Sequence, residues 1–257
     1  MKNEKNNDIL KFWDERASLG DLAGTNDFVL TGIEQSFLVN TVERNSHVLD
    51  IGCGNGSSLI KLIQQKGCTG VGIDFSEEMV KLAKQASLSQ ALGDRVNWQQ
   101  SNVPPVPKTL GQFDVIYSQR CLINLTNVEQ QKEAVLSVQN SLKSGGTYIM
   151  LECFNEGAEE TNVLRLRLGL EAMNAPWHNL FFDLHEVKSW STSSFYVEKI
   201  IHISSTYHFL SRVINAKLAA NSGSELHYDD PINILAAQLP QEIGDFGPVK
   251  ACIWRKI

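Results

Sequence analysis

The chain has 257 residues, 42% of them hydrophobic and 20% charged, enough for one compact domain with a sizeable core. Its formal net charge is −6 and its basic residues are scattered, so a nucleic-acid partner has little electrostatic support. The opening MKNEKNNDIL lacks an apolar signal core and no stretch reaches membrane-spanning length, while five cysteines without a CxxC pair read as reduced thiols of a cytoplasmic protein with no metal site.

From about residue 47, short apolar runs alternate with helical stretches, the pattern of a parallel sheet covered by helices. The first strand, His47–Ile51, ends in a glycine-rich turn, and a helix follows over Ser58–Gln65. Thr69–Ile73 makes a second strand, closed by Asp74. Ser76 is placed to cap the next helix, with Glu77 and Glu78 in its first turn. Val96–Gln99 and Phe113–Tyr117 are the third and fourth strands, and Thr126-x-x-Glu129 reads as a capping box. Gly145-Gly146 turns the chain into a fifth strand, Thr147–Cys153, and a helix is expected over Thr161–Ala172. Tyr196–Ile203 is a sixth strand and Val249–Trp254 the last. The long gap between those two holds helical candidates near Phe209–Ala220 and Ile232–Leu239, the position of a lid or binding surface.

VLDIGCGNG (Val48–Gly56) carries the most information. Gly52, Gly54 and Gly56 stand where a buried strand becomes a helix, and glycine lets backbone approach a ligand without an intervening Cβ. Asp74, at the end of the next strand, is placed to accept from two ribose hydroxyls. A dinucleotide site would carry G-x-G-x-x-G, but the third glycine position holds Ser57, and Asp50 would repel a pyrophosphate. An acid there suits the ammonium of a methionine moiety.

The ordered set VLDIGCGNG, GVGIDFS, FDVIYS and LKSGGTYIMLE, spanning roughly residues 47–154, resembles the motif series of class I S-adenosylmethionine-dependent methyltransferases. The resemblance implies an α/β, Rossmann-like fold: a central, mostly parallel sheet with helices on both faces and a helical insertion between the last two strands. It further implies that Asp50, Gly52, Cys53 and Gly54 hold the methionine part of S-adenosyl-L-methionine, and Asp74 its ribose. Phe75 would lie against the adenine, Asn102 and the backbone of Val103 would meet its edge, and Ser118 would line the sulfonium end. Asn102 stands where the family often has Asp; its amide oxygen can still accept. FWDERA followed by GDLAGTND resembles a flap folded over the cofactor, with Arg16 either on the methionine carboxylate or simply solvated.

The expected organisation is a single domain, 1–257, with a helical flap (1–46), a cofactor-binding core (47–154) and a C-terminal part (155–257) whose insertion at about 204–247 caps a small-molecule substrate. Methyl transfer to a hydroxyl rests on alignment and on loss of a proton to a positioned base. His178, in PWHNLFFD, and Glu152, after the fifth strand, are the candidate bases, and Arg120 a candidate anchor for the substrate. Each has a structural alternative: a hydrogen-bonded loop histidine, a buried acid, a salt bridge. Tyr207, Arg212 and Asn215 could face the same pocket from the insertion. RCLINL, PWHN and SSTYHFLSR also resemble bacterial methyltransferases of surface-polysaccharide and specialised metabolism, which implies a sugar-type or phosphorylated acceptor methylated on oxygen. A non-catalytic cofactor-binding module and an NAD-dependent oxidoreductase remain the alternatives.

Overall fold

The computed structural model describes residues 2–257. Strands β1 (His47–Ile51), β2 (Thr69–Asp74), β3 (Val96–Gln100), β4 (Phe113–Gln119), β5 (Leu142–Cys153), β6 (Phe195–Ile201) and β7 (Val249–Lys256) form one sheet in the order β3-β2-β1-β4-β5-β7-β6. The first five run parallel, and β7 inserts antiparallel between β5 and β6. The direction of strand succession reverses between β1 and β4. In open α/β sheets that reversal leaves a crevice at the carboxyl ends of the strands, where ligands bind.

The apolar runs become strands because both faces of this sheet are covered. Val48, Leu49 and Ile51 of β1 are all fully buried. Helices α1 (Lys2–Ala17) and α2 (Phe28–Thr41) precede the sheet. α3 (Ser57–Lys66), α4 (Glu77–Ser89) and α5 (Val128–Val138) connect its parallel strands. α6 (Asn155–Arg167) and α7 (Leu184–Ser189) follow β5. Between β6 and β7, α8 (Ser205–His208) continues through a π-helical stretch (Phe209–Asn215) into α9 (Ala216–Ser222), and α10 (Pro231–Gln238) follows. Among the described residues no helix is long and apolar enough to cross a membrane, and no cluster of His, Cys, Asp or Glu could hold a metal ion.

Three elements differ from their expected positions. The helix expected over Thr161–Ala172 starts at Asn155 and ends at Arg167, because Gly169 takes φ +71° and turns the chain back. Asn162 then fastens the returning strand of chain, its side chain bonding both the N–H and the C=O of Met173. The cap of α5 is Asn127 rather than Thr126: Asn127 Oδ1 accepts from Gln130 N at 2.9 Å, and Gln130 Oε1 accepts from Thr126 N and Oγ1. The reciprocal bonding survives one residue later, with Gln130 in the role expected of Glu129. Finally, β5 begins at Leu142, so Gly145-Gly146 lies within the strand.

Candidate active site

The turn after β1 uses its glycines for different purposes. All three have positive φ, but a Cβ on Gly52 would lie 2.1 Å from Cys121 Sγ and one on Gly56 2.6 Å from the Trp98 ring. Those two glycines make room for neighbouring side chains. A Cβ on Gly54 would meet nothing within 4 Å, because it would project into the cavity above the sheet. The Gly54 N–H points the other way, to Asp74 Oδ2 at 2.9 Å, while Ser76 N donates to Asp74 Oδ1 at 3.0 Å. Two backbone donors thus orient a buried carboxylate that also lines the cavity.

Asp50 lies beneath the turn, 2% exposed, and accepts from Tyr117 Oη at 2.6 Å. Burial pushes its pKa up to about 7, with Tyr117 opposing and the Asp74 charge adding. Burial likewise pushes Asp74 up to about 6, against the pull of its backbone donors. Two buried acids in one cavity are poised to ionise fully when a cationic group arrives. Phe75, Asn102 and Val103 line the same end.

The flap closes over this end. Ser76 Oγ donates to Asp14 Oδ1 at 2.6 Å, and Trp13 Nε1 to Asn124 Oδ1 at 3.1 Å. Arg16 lines the cavity, but its Nε and Nη2 donate to the carbonyls of Ala23 and Leu22, binding the flap to itself. His178 stacks at 4.5 Å from the Phe12 ring, beside Trp13 and Trp177. Its Nδ1 is buried without a partner, and burial together with Arg16 and Lys5 holds its pKa below the usual histidine value.

After β4 the chain departs from expectation. Ser118 turns into the core, its Oγ 2.9 Å from Tyr148 Oη, and Gln119 lines the cavity in its place. Gln119 bridges two elements, donating to Glu34 Oε2 at 2.7 Å and accepting from Ser58 Oγ at 2.7 Å. Arg120, at φ +49°, lines the cavity with its Nε 3.0 Å from Glu34 Oε1, a fully buried partner on α2. Glu152 is also fully buried, but it is not among the cavity-lining residues. Its Oε1 accepts from the N–H groups of Cys121 and Leu122, fixing the turn that carries Arg120, and burial pushes its pKa up to about 7.

Sequence reasoning pointed to Tyr207, Arg212 and Asn215 at the far end of the cavity, of which Arg212 lines it, but missed Asp27 and His208. Asp27 caps α2 through Leu30 N and accepts from Tyr207 Oη at 2.8 Å. It also pairs with Arg212, which stands on the π-helical stretch with its guanidinium 4.4 Å over the Tyr228 ring. One π-helical residue shift of this kind commonly marks a functional position. Beside Arg212 lies His208, 3% exposed, whose Nδ1 is 2.9 Å from the Ser204 carbonyl. A carbonyl only accepts, so Nδ1 carries the proton and Nε2 is the free lone pair. Burial, followed by the Arg212 charge, depresses the His208 pKa to about 4. Only the run SSTYHFLSR pointed here; nothing local in sequence joins it to Asp27.

Flap, glycine turn, Arg120, His208 and Arg212 all border one cavity of roughly 890 Å³, near the upper end of the range for small-molecule sites. Residues 42–201, more than half of the chain, match the family described as "Methyltransferase domain". The chain belongs to this family. S-adenosyl-L-methionine is the cofactor of this domain, and the open face of Gly54 with the backbone-oriented Asp74 fits a ribose and an amino-acid moiety side by side.

Curated relatives include a demethylmenaquinone methyltransferase of Lactiplantibacillus plantarum, 33% identical over 42% of this chain and 45% of its own length. A ubiquinone biosynthesis O-methyltransferase of Coxiella burnetii is 27% identical over 52% of this chain and 53% of its own. The chain thus spans about half the length of these relatives. Among solved structures, the methyltransferase in a complex with the Haloferax volcanii Trm112 activator superposes with TM-score 0.63 at 16% identity, covering 95% of this chain and 96% of that one. Geranyl diphosphate C-methyltransferase from Streptomyces coelicolor gives TM-score 0.56 at 11% identity over 88% and 76%. At such identities the likeness concerns the fold, the α/β, Rossmann-like methyltransferase architecture.

Proposed function

We propose that the protein transfers a methyl group from S-adenosyl-L-methionine to an oxygen of a small polar acceptor. One observation carries this reading: a single cavity runs from the glycine turn and Asp74 to a polar compartment roofed by the insertion, so that two ligands can share it. The cofactor supplies an activated methyl group, and the chain supplies alignment and a dry, polar enclosure.

In this reading Asp74 accepts from the ribose hydroxyls, and the Gly52-Cys53-Gly54 backbone with Asp50 holds the methionine part. Phe75 covers the adenine and Asn102 and Val103 meet its edge. Gln119, rather than Ser118, lies on the cavity side where the methyl group is presented. Arg120 orients the acceptor, with Glu34 fixing its direction. Glu152 acts from behind, as the brace of the turn that bears Arg120. His178 forms part of an aromatic gate with Phe12, Trp13 and Trp177, and Arg16 stiffens the flap that carries that gate. Arg120, Arg212 and Asp27 line the cavity beside apolar residues such as Leu30, Leu122 and Ile123, which supports an acceptor that carries polar oxygens, such as a sugar. The five free thiols suit the reducing cytoplasm.

The test is calorimetric titration with S-adenosylhomocysteine and with NAD, followed by a methyl-transfer assay over a panel of hydroxylated acceptors. Binding of S-adenosylhomocysteine together with oxygen methylation supports the reading. Binding of NAD alone, or tight cofactor binding without methylation of any acceptor, contradicts it.

A further inference from the structure

The acceptor compartment holds a proton acceptor that is distinct from His178 and Glu152. We propose that His208 Nε2 takes the proton from a neutral hydroxyl of the acceptor while Arg120 donates to a second oxygen beside it. This rests on the methyl-transfer reading above and names the substrate class and the base.

Three observations place His208 in that role. The ring's hydrogen bond fixes the tautomer: Nδ1–H is held by the Ser204 carbonyl, no described residue bonds Nε2, and its lone pair is left for a ligand. The ring cannot swing away, because Gly247 packs against it so closely that a Cβ there would lie 2.0 Å from His208 Cγ. And the residue, though buried, lines the cavity. His178 has no such fixed tautomer, since its Nδ1 has no partner, and Glu152 does not reach the cavity.

The charge pattern selects a neutral ligand. The guanidiniums of Arg120 and Arg212 are each already balanced by a buried carboxylate, Glu34 and Asp27. An acceptor bearing a net charge would add an uncompensated ion to a desolvated compartment, which is costly. Arg120 keeps donors to spare: Nε faces Glu34, Nη2 reaches Thr31 Oγ1 at 3.5 Å, and no described residue accepts from Nη1. An accepting nitrogen and a donating guanidinium lining the same cavity suit a hydroxyl next to another oxygen. Vicinal hydroxyls of a sugar and those of a catechol share this chemistry.

The balance is simple. The acceptor oxygen gains the methyl carbon, the electron pair of the broken carbon–sulfur bond stays on sulfur as a neutral thioether, and the hydroxyl proton passes to Nε2. The groups facing His208 are Arg212 on its own helical run, Asp27 at the start of α2, and Arg120 after β4. Burial first, and then the two cations, keep the imidazole neutral near pH 7. They disfavour its protonated form, so the proton is passed on to solvent rather than retained. As the carbon–oxygen bond forms, the hydroxyl becomes far more acidic, and even a weak base then accepts its proton downhill.

The experiment follows the His208 imidazole by ¹H–¹⁵N NMR in the protein saturated with S-adenosylhomocysteine. The probes are methyl α-D-glucopyranoside, methyl 3,4-dihydroxybenzoate and the anionic 3,4-dihydroxybenzoate. One of the two neutral probes should shift Nε2, identifying the sugar or the catechol source, and the anion should bind more weakly than its ester. With that neutral probe and S-adenosylmethionine, His208→Asn should lower kcat about 100-fold or more, while the folded protein binds S-adenosylhomocysteine with unchanged affinity and loses only modest stability. Asparagine retains a donor for the Ser204 carbonyl and removes Nε2. The wild-type kcat should stay level from pH 8 to pH 5 and fall towards pH 4. The proposal is overturned if neither neutral probe moves the resonance, if the anion binds more tightly, or if His208→Asn turns over at the wild-type rate. Failure with intact S-adenosylhomocysteine binding removes His208 alone; failure to bind S-adenosylhomocysteine removes the methyl-transfer reading itself.

Discussion

At the cofactor end of the cavity, the bonds that orient Asp74 are short in sequence, Gly54 reaching it across 20 residues and Ser76 across two, although Tyr117 reaches Asp50 across 67. At the acceptor end, Asp27 meets Tyr207 across 180 residues and Arg212 across 185. The first end is made largely of backbone donors and strand termini, a geometry that any sequence forming these strands and this turn reproduces. The second consists of buried ion pairs between separate parts of the chain, and it exists only once α2 and the insertion have docked. A cofactor shared by a whole family needs the former. An acceptor that differs between members can be served by the latter, since the insertion can change without disturbing the turn.

This contrast can be broken experimentally. The largest effect is expected at Asp27. Asp27→Ala leaves Arg212 as a buried charge without its counter-ion and removes the partner of Tyr207, at a cost of about 3–5 kcal/mol in stability. Chemical denaturation should show that loss, while the fraction that remains folded binds S-adenosylhomocysteine as before. If affinity falls along with stability, the two ends are not independent.

Glycines of the turn offer a sharper division. Gly56→Ala drives a methyl group into Trp98 at a positive φ and should cost about 1–3 kcal/mol of stability. Gly54→Ala meets no protein atom, so beyond about 1 kcal/mol for an alanine at positive φ its main effect should fall on cofactor affinity. Comparing Tm and Kd for both variants checks the separation; equal losses of stability would blur it.

Next in size is a pH effect confined to the cofactor end. The unliganded pKa of Asp74 is raised to about 6 and that of Asp50 to about 7, so both are largely protonated at pH 5 and ionised at pH 8. The ionised forms accept the ribose hydroxyls and attract the ammonium group. Affinity for S-adenosylhomocysteine should therefore rise as pH increases from 5 to 8, by about tenfold if the Asp74 ionisation dominates and by nearly 100-fold if that of Asp50 does. Titration calorimetry across that range measures it, and affinity that is flat or falls with pH counts against the assigned roles.

The smallest effect concerns a helix cap. Asn127→Ala should cost about 1 kcal/mol, since Asn127 holds the Gln130 N–H. Glu129→Ala should cost less, because the reciprocal bond comes from Gln130. Denaturation midpoints of the two variants decide the order.

The same division governed what could be read before the structure. β1, the glycine turn, β2 with Asp74 and the Ser76 cap follow from local pattern, because apolar alternation, turn chemistry and caps act over a few residues. The capping residue of α5 was misplaced by one position, since Thr126-x-x-Glu129 and Asn127-x-x-Gln130 are equally good local signals. Arg120 was legible as a charged residue in an apolar run, but its partner Glu34 lies on another helix. His208 was hidden more deeply. What makes it notable is its burial, its Ser204 contact and its guanidinium neighbours, and each of these is produced by tertiary packing. His178, in a segment rich in aromatic and turn residues, drew notice for composition alone.

The central claim is that the carboxylate of Asp74, oriented by the Gly54 and Ser76 amides, holds the sugar of the cofactor. Titration of wild-type and Asp74→Asn protein with S-adenosylhomocysteine tests it most directly. Two hydrogen bonds to a charged acceptor, each weakened by about 1.5 kcal/mol, amount to a loss of about 100-fold in affinity, with the wild-type protein binding one equivalent. Equal affinity of the two proteins would contradict the account.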